Sequence, residues 1–221
     1  MGLDVYVGSL TRYYTEGPAD VVERIARHQA MAATDGQDAE EVIRAAVLRW
    51  RENLSRWLGD RLARPLDWDE SSPAPSVTDK PGWDGYGGAP LLAAHDEHPG
   101  LPPRPSSPPT GPDDLAYQAA SARGAGSRYS QLLTPELWLP CRFEFTVRTQ
   151  DLTGEEVELG SSMALLEQLE LLAARYRLEA DPPEVGGDGH SLSAAAGNGL
   201  TVLRRLATRS VRSRVPMKLD F

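Results

Sequence analysis

Two neighbouring stretches hold the side chains best suited to chemistry. Asp67, Asp69 and Glu70 place three carboxylates within four positions. Such oxygen donors can hold a hard divalent cation, although the spacing lacks the longer alternation and terminal glutamate of a calcium loop. The segment that follows, Thr78–Gly88 (TDKPGWDGYGG), gathers Asp79, Lys80, Trp83, Asp84 and Tyr86 between glycines and a proline. A loop carrying aromatic and charged groups on a rigid scaffold is where binding sites concentrate, so these five are the candidate binding residues. The same composition also describes a turn-rich loop whose Trp and Tyr plug the core edge while the aspartates cap turns.

Other reactive groups are scattered. His95 and His98 are three apart and would share a helix face, but no HExxH context accompanies them. Cys141 is the only cysteine, which excludes an internal disulfide. As a nucleophile it would need a nearby histidine, His28, His95, His98 or His190, and a lowered pKa; beside Trp138 and Pro140 it reads equally as packing. Ser161 and Ser162 stand between a strand and a helix, where nucleophilic serines occur, yet the flanking glycines of a GxSxG elbow are missing. The sequence has neither a P-loop nor GxGxxG, and no cofactor is expected.

The elements that must position these groups are legible. Leu3, Val5 and Val7 alternate with Asp4 and Tyr6 as a strand, and Met217, Leu219 and Phe221 alternate with Lys218 and Asp220 as another. Both are expected in one sheet, because a terminal strand left unpaired exposes backbone and apolar side chains. Phe143, Phe145 and Val147 alternate with polar residues, Asp151–Gly154 has turn chemistry, and Val157 and Leu159 return as the second strand of a hairpin within about 141–160. Ser9–Gly17 reads as a polar, tyrosine-containing loop. A helix is expected after Pro18 to about Ala33. Ile43 to Leu62 keep helical spacing behind an Asp38 cap, with Trp50 and Trp57 on one stripe as core or as a ligand platform. Further helices are expected at 91–98, from an Asp113 cap to Ala122, from Ser161 or Ser162 to Tyr176, and from Ser191 or Ser193 to Val211. The fold expected is α+β: a small, largely antiparallel sheet of both terminal strands and the hairpin, packed with amphipathic helices. The whole chain, 1–221, forms one domain with a Pro/Gly-rich, loop-rich insertion at about 66–112.

Composition narrows function. The net charge of −9 argues against nucleic acid as the main partner. The basic run from Arg204 to Lys218 reads as a solvated helix face. No segment has the roughly 20 apolar residues of a membrane span, and no signal peptide is seen, so a cytoplasmic protein is expected. Lysine occurs only at Lys80 and Lys218 among many arginines, the codon bias of a GC-rich bacterial genome. The preferred reading is a binding or regulatory protein without catalytic activity, an immunity-type partner that masks a basic protein through charge complementarity. The alternative is a hydrolase-like enzyme with its site at the Asp67–Tyr86 loop.

Overall fold

In the computed structural model, residues 3–18, 20–28, 38–101, 112–176 and 192–220 are described, without the side chains of residues 83, 84 and 192–195. The fold is α+β. Six strands, β1 (Asp4–Val7), β2 (Val77–Asp79), β3 (Leu137–Leu139), β4 (Val147–Gln150), β5 (Glu156–Ser161) and β6 (Met217–Asp220), form one open sheet of order β2-β1-β6-β3-β5-β4. All neighbours are antiparallel except β3 and β5, which run parallel. Both terminal strands lie in this one sheet, as expected, and pair with each other: Val7 faces Met217 and Asp4 faces Asp220 across the β1–β6 ladder. Gly2 and Phe221 lie outside the described residues.

Eight α-helices are found among the described residues: α1 (Leu10–Thr15), α2 (Asp20–His28), α3 (Ala39–Leu58), α4 (Gly82–Glu97), α5 (Leu115–Ala122), α6 (Ser130–Leu133), α7 (Ser162–Tyr176) and α8 (Leu192–Ser213). The two-residue period of the strands divides them between two cores. On one face Leu3, Val5, Val7, Trp138, Met217 and Leu219 pack under α4, α7 and α8. On the other, Leu137, Leu139, Val157 and Leu159 pack under α1, α2 and α3. The stripe of α3, from Ile43 to Leu58, is buried there, but Trp57 is 58% exposed and leaves it.

Several boundaries depart from expectation for physical reasons. Ser9–Gly17 is largely helical: Ser9 caps α1 by accepting from Arg12 N. The hairpin's first strand begins at Val147, since Phe143 and Phe145 leave the ladder and lean on each other with ring centroids 5.1 Å apart. Leu137–Leu139 becomes a separate strand because β5 supplies a parallel partner. Asp114, not Asp113, caps α5 by accepting from Ala116 N and Tyr117 N. The described part of the 66–112 segment contains regular elements as well as loops. Leu66, Trp68 and Ala74 are buried, and residues 77–97 supply β2 and the 16-residue α4. The helix expected only at 91–98 therefore starts at Gly82, nine positions earlier.

Candidate functional site

The sequence-derived candidates take separate places. Asp79, on edge strand β2, accepts from the Arg205 guanidinium of α8. Lys80 lies 3.2 Å from Asp4 Oδ1. Trp83 and Asp84 belong to the first turn of α4, and their side chains lie outside the described residues. Tyr86, in the next turn, packs against the α4/α8 core, and burial raises its phenol pKa. The acidic triplet disperses too. Asp67 pairs with Arg51 and Arg214. Asp69 faces Ser71, whose hydroxyl first and backbone N–H second hold its carboxyl below the ordinary range. Glu70 turns inward.

The remaining groups are committed to structure. His95 Nε2 sits 3.2 Å from Asp114 Oδ2, beside the start of α5. His98 Nε2 is buried with no hydrogen-bond partner among the described residues, His28 packs on Gly154, and His190 lies outside them. The Ser161 hydroxyl donates to Cys141 O and accepts from Ala164 N, while Ser162 meets the Ser210 hydroxyl at 2.7 Å. Both serines are fully buried, so neither presents an oxygen to a substrate. The Cys141 thiol donates to Asp67 O, and burial pushes its pKa up, away from a nucleophilic thiolate.

A different set of residues does converge. The α1–α3 layer covers the β3-β5-β4 half of its sheet face, and over the β2-β1-β6 half it leaves a cavity of about 670 Å3. Strand alternation sends Tyr6, Thr78, Lys218 and Asp220 to this side, opposite Val5, Met217 and Leu219. Consecutive residues of α1 add Tyr13 and Tyr14, and the β4–β5 turn adds Asp151 and Glu155. The three tyrosines form a chain: ring centroids are 5.2 Å apart for Tyr6–Tyr13 and 5.1 Å for Tyr13–Tyr14, tilted and edge-on. Lys218 Nζ stands 5.5 Å from the Tyr13 ring centre, within cation–π reach. Gly8 is needed beside this cluster, because a Cβ there would collide with the Tyr6 phenol.

Each phenol has a defined acceptor. Tyr13 donates to Asp220 Oδ1 and Tyr14 to Asp151 Oδ2, both at 2.9 Å, and Tyr6 donates to Ser9 O at 3.1 Å. Burial first, then the neighbouring carboxylates for Tyr13 and Tyr14, raises all three pKa values well above that of free tyrosine. The phenols thus remain protonated donors with π faces at neutral pH. Four carboxylates, Glu16, Asp151, Glu155 and Asp220, line the cavity against two cations, Arg24 and Lys218. What the arrangement can do chemically is hold a cation by carboxylate and aromatic contacts.

The cluster depends on one distant carboxylate. Glu70 is 6% exposed and accepts four hydrogen bonds: Leu10 N at 3.0 Å, Thr11 N at 2.8 Å, Thr11 Oγ1 at 2.7 Å and Trp68 Nε1 at 2.6 Å. It satisfies the free N–H groups that open α1, the element carrying Tyr13 and Tyr14. Glu70→Ala would strand these donors, each unsatisfied group costing about 1–3 kcal/mol, so a net loss of about 3 kcal/mol or more is expected. That corresponds to about 10 °C in Tm for a chain of this size. Glu70→Gln, which keeps one acceptor oxygen, should lose less. Thermal melts of both variants check this; an alanine variant melting with the wild type would show that Glu70 does not pin α1.

The cleft tyrosines were legible only as part of a polar loop, because their partners Asp151 and Asp220 lie 137 and 207 positions from them. Comparison with protein-family models, with curated proteins and with solved structures gave no match, so the reading of this cleft rests on its own geometry.

Proposed function

We propose that the protein is a binding protein without catalytic activity of its own, which presents the tyrosine-lined, acidic cleft to a basic protein partner in the manner of an immunity-type or regulatory protein. The observation that carries this reading is the lining itself: three protonated tyrosines and a majority of carboxylates around one opening. The net charge of −9 adds a long-range field of the same sign. Tyr13, partly exposed while Tyr6 and Tyr14 back it from buried positions, supplies rigid contact area typical of interface anchors, and an arginine or lysine of the partner would meet both its π face and a carboxylate. Glu16 and Asp220 lie exposed at the mouth, where charges set encounter rate and specificity.

The test is fluorescence anisotropy with a labelled arginine-rich peptide, together with capture from a lysate of the native host. The peptide should bind at low salt and weaken steeply as salt rises. Charge reversal at the mouth, Glu16→Lys with Asp220→Lys, should weaken binding about tenfold or more, and Glu16→Lys alone should act in the same direction. Equal binding by wild type and both variants, or failure to bind the peptide together with recovery of no basic protein from the host, would overturn the reading.

A further inference from the structure

A second cavity, of about 490 Å3, opens where the parallel strands β3 and β5 end. Cys141, two residues past β3, and Met163, two residues past β5 in the first turn of α7, form its wall with Pro65 and Pro140. The charge of this cavity is opposite to that of the chain. Arg64, Arg142 and Arg214 line it against a single carboxylate, Asp67, in a protein of net charge −9.

The three arginines are not equivalent. Arg214 reaches Asp67 Oδ2 at 2.5 Å, and Asp67 is also approached by Arg51 Nη1 at 3.4 Å, so its charge is already compensated. Arg142 shares exposed Glu167 at 3.0 Å and Glu144 at 3.7 Å, neither of which lines the cavity. Arg64 has no hydrogen-bond or ion-pair partner among the described residues. The backbone adds a second oddity. Arg214 has φ of 53°, the left-handed conformation that glycine usually supplies after a helix, and it is the one non-glycine residue so placed among those described. An arginine side chain thus stands where the backbone favours glycine.

We propose that this cavity binds a small organic oxyanion, a carboxylate or phosphate ester carried on an apolar body. The guanidinium of Arg64 would be its primary anchor, Arg214 and Arg142 its flanks, and Met163, Pro65 and Pro140 the surface for the apolar part. A guanidinium fork matches carboxylate and phosphate geometry. The cavity volume suits a ligand of that size. This site is independent of the acidic cleft and of its partner.

Cys141 makes the proposal directly measurable, because it is the only thiol in the chain and lies in the cavity wall. The experiment follows alkylation of the full-length protein by iodoacetamide at alkaline pH, with phenyl phosphate, benzoate, benzamide or inorganic phosphate added. Phenyl phosphate or benzoate should slow labelling in a saturable way, benzamide should not, and inorganic phosphate should protect only weakly. Arg64→Ala, which removes an exposed and unpaired group, should leave the melting temperature unchanged and raise the half-protecting concentration about tenfold. Protection by phenyl phosphate but not benzoate would identify a phosphate ester, and the reverse pattern a carboxylate. Equal protection by benzamide, equal protection by inorganic phosphate, no protection at all, or full protection in Arg64→Ala would each overturn the site. The arginine-rich peptide assay should be unaffected by Arg64→Ala, so the two sites succeed or fail separately.

Discussion

Deleting the last five residues, Met217–Phe221, is expected to leave no cooperatively folded protein. Strand β6 is not an edge. It lies between β1 and β3, so its removal divides the sheet into β2-β1 and β3-β5-β4. Four register pairs to β1 and two to β3 are lost, along with the Leu219 N–H bond to Glu136 O at 2.8 Å. Met217 and Leu219 are both within 2% of complete burial, and each contributes roughly 1.5–3 kcal/mol through apolar surface removed from water. The unpaired donors and acceptors of β1 and β3 add to that, and both become open edges that invite aggregation. The two side chains alone remove about 3–6 kcal/mol from a typical total of about 5–15 kcal/mol, and the division of the sheet falls on what is left. The deletion also removes Lys218 and Asp220 from the tyrosine cleft. Circular dichroism and gel filtration of the truncated chain check this. A soluble monomer melting at the wild-type temperature would show that β6 is dispensable.

That outcome follows from signals that could be read directly in the chain. The period of two in residues 3–7 and 217–220 fixes which side chains point to each face, whatever the partners turn out to be. The turn at Asp151 is similarly local: its carboxylate accepts from Thr153 N, Thr153 Oγ1 and Glu155 N, all within four residues. The cleft was illegible for the opposite reason. α1 is six residues long, too short to hold by itself, and is pinned by a glutamate some 60 positions away. Tyr13 and Tyr14 become a site only when β1, β6 and the hairpin turn are brought together. The candidate residues Asp79 and Lys80 have the right chemistry for binding, but cross-sheet and helix partners take up their charges. No signal near residues 79–80 announces Arg205 or Asp4.

The Gly-rich segment shows why composition alone misled, and it gives the second large effect. α4 holds four glycines and Pro90 in 16 residues. Intrinsic propensity sets about 1 kcal/mol per glycine and about 3 kcal/mol for the proline against such a helix. What outweighs that cost is its packing on α8. Gly85 and Gly88 are buried with Ala89 and Ala93, facing Ala196, Gly199 and Leu200. The two backbones approach so closely that a Cβ on Gly199 would overlap the Gly85 carbonyl oxygen, far inside van der Waals contact distance. A backbone oxygen inside a helix cannot rotate away, so the helices must separate or shift. Propensity alone makes Gly199→Ala stabilising by about 1 kcal/mol. The packing makes it destabilising, at the upper end of the roughly 1–3 kcal/mol usual for overpacking or beyond. A fall of about 10 °C in Tm is expected, with a matching drop in the urea midpoint. Gly100→Ala is the control, since nothing lies within 4 Å of a Cβ there and the melt should barely move. The opposite signs predicted by the two causes make the measurement decisive. If Gly199→Ala melts higher than wild type, α4 and α8 do not pack at glycine distance, and the glycines revert to the turn formers that the bare sequence suggests.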